Sequence, residues 1–147
     1  MPSDILLGRG PIYEIVERGR TARCTVVNAP DVSGAEGARC ASEMHAVLTG
    51  RVLVRRSFYR GLVFDVRCGP AAFGPKTRVS LEQIFDAAVR ADKHLAVLVG
   101  ESPTQLMQFT NLAREHAPQH ARVLHDDGEA EAWADGSAAA SRLSDRS

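Results

Sequence analysis

Short apolar runs of strand length recur along the chain. Residues 12–16 and 24–27 are rich in β-branched side chains and are separated by a polar stretch, which predicts an N-terminal antiparallel hairpin. Three further runs, at residues 62–66, 94–99 and 121–124, also have the length and composition of strands. Residues 95–99 contain no polar position, so we expect this strand to be buried on both faces of a sheet.

Between these runs, apolar residues are spaced as in helices. The first predicted helix starts at Ser33, which with the glutamate three residues later fits a capping box. The second follows a Gly/Pro loop, the third starts at the N-cap Ser102, and a short fourth helix is capped by Asp127. In chain order, the inward-facing positions of the first three helices are Ala41, Met44, His45 and Leu48; Leu81, Ile84, Phe85 and Ala88; and Leu106, Phe109, Thr110 and Ala113.

The resulting order of elements, β-β-α-β-α-β-α-β-α, predicts an α/β fold. Strands joined by single helices cross over right-handed and pair in parallel, so the helices should pack on a mostly parallel sheet with the hairpin as an antiparallel edge. We assign residues 1–10 to an N-terminal extension and residues 11–135 to one domain. Residues 136–147 are small and polar, and we expect a disordered tail there.

Charge and cysteine content narrow the class of protein. Eighteen basic side chains balance eighteen acidic ones, and this argues against a nucleic acid or an anionic membrane as partner. No apolar run approaches the roughly 20 residues that cross a bilayer. Cys24, Cys40 and Cys68 form an odd set without a C-x-x-C motif, and the start of the chain lacks a secretory pattern. We therefore expect free thiols and a cytoplasmic protein.

The order, length and spacing of these elements resemble the STAS domain, the fold of bacterial anti-sigma-factor antagonists and stressosome subunits. The resemblance covers about residues 11–135 and is clearest in the hairpin, in the strand 62–66 with its acid Asp65, and in residues 95–100 with the turn that follows. It implies a STAS-like mixed sheet and a non-enzymatic regulatory or scaffold role in bacterial signalling. The implied partner is another protein, either a regulatory kinase or a scaffold component, or a second copy of the chain.

The family's phosphorylation motif, Asp-Ser-Ser-Gly at the start of a helix, is absent. The corresponding stretch reads Phe73, Gly74, Pro75, Lys76, Thr77 and Arg78. Thr77 is the hydroxyl closest to the family's position, and a phosphate there would lie at a helix N-terminus, where free N–H groups favour an anion. The resemblance thus implies a partner-docking and candidate phosphorylation region at Phe73, Lys76, Thr77 and Arg78. A helix that starts at Pro75, with Lys76 and Thr77 exposed beside it, is the simpler interpretation.

Two motifs imitate known chemistry. The stretch from Gly69 to Thr77 is one residue away from the pattern G-x-x-x-x-G-K-[ST], so a phosphate- or nucleotide-binding protein is the alternative function. Pro75 argues against it, because proline removes an N–H group and displaces the lysine. Ser102 lies where a G-x-S-x-G motif would place a nucleophile, but a helix cap explains this serine better.

Two further groups of residues have the composition of binding sites. The first, a loose set of metal-ligating types, comprises His116, His120, His125, Asp126 and Asp127. Pro118 keeps the first two histidines from sharing one helical face, so we expect no metal. The second is a basic and aromatic patch made by Arg51, Arg55, Arg56, Phe58, Tyr59 and Arg60. With a neutral chain, a solvated surface or an acidic protein partner explains this patch better than nucleic acid does.

The sequence therefore predicts a binding protein without catalytic activity or cofactor. No carboxylate pair, metal triad or nucleophile with its base can be assembled from these patterns. We expect docking through the stretch from Gly69 to Arg78 and the helix that follows it.

Overall fold

One six-stranded sheet organises the chain. The computed structural model describes residues 5–28, 33–70 and 73–136. The strands are β1 (Ile5–Gly10), β2 (Tyr13–Arg18), β3 (Thr21–Val27), β4 (Gly61–Cys68), β5 (His94–Leu98) and β6 (Ala121–Leu124). The helices of the described residues are α1 (Gly34–Val47), α2 (Pro75–Ala91), α3 (Pro103–His116) and α4 (Asp127–Ala134), and a π-helical turn, Leu48–Val52, extends α1.

The strands lie in the sheet in sequence order, from β1 to β6. The pairs β1–β2 and β2–β3 are antiparallel, and the pairs from β3 to β6 are parallel. The predicted α/β class is therefore confirmed, and the predicted hairpin corresponds to β2 and β3.

An additional strand, β1, lies within the stretch that we assigned to an N-terminal extension. Ile5–Gly10 pairs with β2, so this part of residues 1–10 belongs to the sheet. Its pattern gave little signal, because Leu7 alone of its side chains is buried, and two of its six residues are glycines. From residue 137 onward, the predicted tail lies outside the described residues.

Helices cover both faces of the sheet, which explains the continuous apolar run of β4. Leu62, Phe64 and Val66 point into a large core that also contains side chains of α1, α2 and α3. Val63 points the other way, into a smaller core with Ala130, Trp133 and Ala134 of α4. A strand covered on both faces buries successive residues instead of every second one.

Local signals located the helix starts well. Ser33 and Ser102 cap α1 and α3 as predicted, each accepting a hydrogen bond from the backbone N–H three residues later, at 3.1 and 3.2 Å. The cap of α4 is Asp126 rather than the predicted Asp127, because the Asp127 carboxylate binds Arg23 instead.

The inward face of α3 also differs from the prediction. Leu106 and Thr110 are exposed, and the buried residues are Gln105, Phe109, Leu112 and Ala113. The predicted and the observed buried faces are adjacent on the helix. The polar Gln105 can occupy a buried position because its side chain forms hydrogen bonds with backbone groups. The inward positions predicted for α2 are confirmed, since all four are buried.

Gly61 lies where two other backbone segments approach it closely. A Cβ atom at this position would overlap the carbonyl oxygens of Ala134 and His94. We expect Gly61→Ala to lower the free energy of unfolding by about 3 kcal/mol, since neither carbonyl belongs to a flexible side chain that could move aside. Urea unfolding followed by circular dichroism measures this change.

Gly50→Ala is the matched control. A Cβ atom at Gly50 would meet nothing within 4 Å. We expect this variant to be as stable as the parent, or more stable by up to about 1 kcal/mol. If the two alanine variants lost equal stability, the close approach at Gly61 would not be the cause.

Candidate functional site

A cavity of about 620 Å³ lies between α1 and α2, at the carboxyl ends of β3 and β4. We call it the α1–α2 cavity. In parallel α/β sheets, ligands bind beyond the carboxyl ends of the strands, so its position is that of a binding site. Its walls are mainly apolar and include Val26, Met44, Phe64, Val66, Leu81 and Phe109.

Three of the four predicted docking residues lie at this cavity. Phe73 is half-buried, and its ring packs on that of Phe109 with 5.5 Å between the centroids. Lys76 is exposed at the rim, and Thr77 is half-buried in the lining. Arg78 does not line the cavity. Its Nε donates to Glu82 Oε2 at 3.0 Å, and its guanidinium lies 3.6 Å from Glu115 Oε1. Phe73 is therefore part of a cavity wall, and Arg78 links α2 to α3.

The start of α2 has no side-chain cap. Gly74 is the N-cap residue, and Pro75 occupies the first turn, as predicted. A Cβ atom at Gly74 would meet no atom within 4 Å, so no other backbone segment approaches this glycine closely. The local geometry is that of a plain helix start, with the N-terminal backbone groups of α2 beside the cavity rim.

Gln105 binds the end of β4 and the start of the segment that follows it, a role that the sequence did not reveal. Its Nε2 donates to the carbonyl oxygens of Val66, at 2.7 Å, and Pro70, at 3.3 Å. Its Oε1 accepts a hydrogen bond from the backbone N–H of Gly100 at 3.2 Å. It thereby connects the carboxyl ends of the strands β4 and β5.

The histidines of the supposed metal cluster have separate partners. His116 Nδ1 lies 3.0 Å from Asp86 Oδ1, and His120 Nε2 lies 2.8 Å from Asp92 Oδ1, while His125 is exposed. The hydrogen bond from His120 lowers the pKa of Asp92. Within the described residues, no group of three or more His, Cys, Asp or Glu side chains is placed to hold a metal ion.

The basic and aromatic patch lies at the opposite end of the sheet, beside a second cavity of about 470 Å³. Part of the patch is structural: Arg51 donates to the Leu7 carbonyl at 3.0 Å, and the buried Tyr59 donates to Glu17 Oε1 at 2.6 Å. Arg55, Arg56, Phe58 and Arg60 are exposed.

Lys93 holds the loop that carries this patch. Its Nζ is buried and donates to Ser57 Oγ at 2.6 Å and to the carbonyl oxygens of Ser57 and Tyr59. Burial lowers the pKa of this lysine, and the positive charge of Arg20 adds to the effect. Since its three donors are all used, Lys93 anchors the loop and is not free for a ligand.

A buried ion cluster lies under α4, on the face of the sheet opposite the α1–α2 cavity. The Arg23 guanidinium lies 3.0 Å from Asp65 Oδ2, 2.8 Å from Asp127 Oδ1 and 2.8 Å from Glu131 Oε2. Burial alone would lower the pKa of Arg23, but the hydrogen bonds to Asp127 and Asp65 raise it. Burial would likewise raise the pKa of Asp65, but Arg67 and Arg23 hold it below its usual value. The cluster therefore joins β3, β4 and α4 as charged partners.

The three cysteines are free, as predicted. Cys24 and Cys40 are buried, Cys68 is exposed, and Cys40 lies in the wall of the α1–α2 cavity. Burial raises the pKa of the Cys24 and Cys40 thiols, so both are neutral near pH 7 and behave as apolar groups.

Comparisons with known proteins give no relative for this chain. No family model, curated protein or solved structure matches it. The STAS resemblance therefore depends on the order of elements and on the local patterns described above. None of the helices in the described ranges has the length and apolar character needed to span a membrane.

Proposed function

We propose that the protein is a non-catalytic regulatory or scaffold module that binds another protein through the stretch from Gly69 to Arg78 and the outer face of α2. We define the docking face as Lys76, Val79 and Gln83, three exposed residues with the spacing of one helical face. The observation that carries the proposal is this exposed first half of α2, at the carboxyl edge of the sheet. Val79 in its centre is 52% exposed, an apolar side chain open to a partner.

The docking face favours an acidic partner. Lys76 makes no ion pair with any residue that the structure describes, whereas its neighbour Arg78 is bound to Glu82 and Glu115. The N-terminal end of α2 adds a partial positive charge, and Gly74 contributes no side chain to neutralise it. An acidic segment of a partner protein matches both features. Phosphorylation of Thr77 would reverse the sign of this region and so weaken such a complex.

The side chains that imitate catalytic groups support a binding role over an enzymatic one. Ser102 Oγ accepts the hydrogen bond that caps α3, and His116 and His120 are bonded to carboxylates. Asp65, the acid of the central strand, is bonded to Arg23 and Arg67. Each of these groups thus has a structural partner. The three free cysteines agree with the cytoplasmic location that we propose.

The alternative, a phosphate or nucleotide bound by the stretch from Gly69 to Thr77, has less support. Pro75 offers no N–H group, and the space behind the loop is lined by apolar side chains such as Phe73 and Leu81. We expect ATP or GTP with Mg²⁺, at millimolar concentration, to leave the melting temperature unchanged. A rise of several degrees would favour the alternative.

Photocrosslinking tests the docking face directly. With a benzophenone amino acid at Val79 of the full chain in its native host, we expect one specific crosslinked protein, identified by mass spectrometry. Lys76→Glu should reduce the yield of this product about tenfold, because it replaces an attraction by a repulsion at the same surface.

The matched control places the same amino acid at Glu129, an exposed position on α4. We expect no specific product there. If positions 79 and 129 gave the same products, or if Lys76→Glu left the yield at Val79 unchanged, the docking face would not be the binding surface.

A further inference from the structure

The α1–α2 cavity has the size and composition of a site for a small organic molecule. Its volume of about 620 Å³ lies within the range of roughly 300–1,000 Å³ that is typical of ligand pockets. The deep wall is formed by side chains that are themselves buried in the core, among them Met44, Phe64, Leu81 and Phe109. The deep wall of the cavity therefore belongs to the hydrophobic core.

The walls determine the apolar character of the ligand. Phe64 and Phe109 meet edge to face with 6.1 Å between their centroids, and Phe73 packs on Phe109 from the loop side. Cys40 adds a neutral thiol. Water in such a space would find few polar partners, so a hydrocarbon group gains free energy by replacing it.

The rim determines the charge of the ligand. Lys76 is the sole charged side chain among the described lining residues, and Ser33 and Thr77 add hydroxyl groups. The first turn of α2 borders the cavity and contains no acidic residue, so the partial positive charge of this helix end has the same sign as Lys76. No described residue of the lining carries a negative charge that would repel an anion.

We propose that the α1–α2 cavity binds an apolar molecule with a single anionic group, of the class of straight-chain carboxylates. The hydrocarbon chain occupies the space between α1 and α2, and the carboxylate lies at the rim beside Lys76 and Thr77. This site goes beyond the proposed docking function and does not depend on it, since the purified chain alone should bind the ligand.

Calorimetric titration of the purified protein with decanoate, below its micelle-forming concentration, tests the site. We expect saturable binding with one ligand per chain and a rise in melting temperature of several degrees. Decanol and decylamine have the same chain with a neutral and a cationic end. We expect each to bind about tenfold more weakly than decanoate, because Lys76 favours the carboxylate.

Two variants locate the ligand. Gly37 lines the cavity, and a Cβ atom there would meet nothing within 4 Å, so the side chain of Gly37→Leu starts in open space at the cavity wall. It should lower the affinity for decanoate at least tenfold while the fold stays intact. Lys76→Gln should lower the affinity for decanoate about fivefold to tenfold and leave that for decanol unchanged.

Gly50→Leu and Arg114→Gln are the matched controls. Gly50 has similar open space but does not line the cavity, and Arg114 is an exposed cation of α3 outside the lining. Both variants should bind decanoate as the parent does. The proposal is overturned if the parent does not bind decanoate, if Gly37→Leu binds it equally well, or if decylamine binds as tightly as decanoate.

Discussion

Replacing Arg23 by methionine is expected to lower the free energy of unfolding by about 3–5 kcal/mol. Arg23 is 5% exposed and contacts Asp65, Asp127 and Glu131 at 3.0 Å or less. Methionine is an uncharged side chain of similar length. Asp65 would therefore stay buried and would lose one of its two cationic partners, Arg23 and Arg67. Urea unfolding at pH 7, followed by circular dichroism, measures the change.

Arg9→Met is the control for this substitution. Arg9 forms an ion pair with Glu14 at 2.6 Å, but both side chains are exposed. We expect a loss of no more than about 1 kcal/mol there. If Arg23→Met were as mild as Arg9→Met, the buried cluster would contribute no more than a surface pair. The double variant Arg23→Met with Asp65→Leu should recover part of the loss, since it removes the stranded carboxylate.

The pH dependence of Arg23→Met provides a second measurement. In the parent protein the pKa values of Asp65 and Asp127 lie below their usual range, mainly because of hydrogen bonds to arginine. These two carboxylates therefore contribute fully to stability above the pKa of an aspartate in the unfolded chain, about 3.9. The contribution is lost as the pH falls through their lower pKa values in the folded state. Without Arg23, the pKa values of Asp65 and Asp127 in the folded state rise. We thus expect the acid unfolding transition of the variant to begin at a higher pH.

Elements with a strong local signal could be predicted from the sequence. The strand β5 was visible because His94–Leu98 is nearly continuous in apolar residues, and α1 and α3 because a serine cap precedes each. The strand β1 was missed because its pairing with β2, and not its own pattern, makes it a strand.

The buried cluster was missed for a different reason. Arg23 lies in an apolar strand, and its partners Asp65 and Asp127 are 42 and 104 residues away in sequence. A charged residue within an apolar run and an acid within another were the available signals. They do not say which charge meets which, because that depends on the order of strands and on the face that α4 covers.

The candidate site was predicted in part. The stretch from Phe73 to Arg78 was implied by the resemblance to the STAS domain, and periodicity alone did not identify it. The cavity beside it also needs Val26 from β3 and Met44 from α1, which are brought together by the parallel pairing of β3 with β4. The resemblance thus identified the rim of this site, while the opposite wall follows from the topology.

Replacing Trp133 by alanine is expected to lower the free energy of unfolding by about 3–5 kcal/mol. Trp133 is 8% exposed, and its ring stacks on His94 with 4.5 Å between the centroids. Its Nε1 donates to the carbonyl oxygens of Leu95, at 3.2 Å, and His120, at 3.3 Å. Trp133→Phe keeps an aromatic ring and loses these hydrogen bonds, so it should cost about 1–2 kcal/mol.

The two largest effects should be coupled, because α4 carries Trp133 together with Asp127 and Glu131. If loss of the tryptophan ring frees α4 from the sheet, Arg23 loses its contacts with Asp127 and Glu131 in the same event. The combined Arg23→Met and Trp133→Ala variant should therefore be more stable than the sum of the two losses predicts, by at least about 1 kcal/mol.

Hydrogen exchange of the α4 amides in Trp133→Ala should be faster than in the parent, while that of β4 changes only with global stability. Strict additivity, with α4 protected as in the parent, would show that packing and ion pairs hold this helix independently.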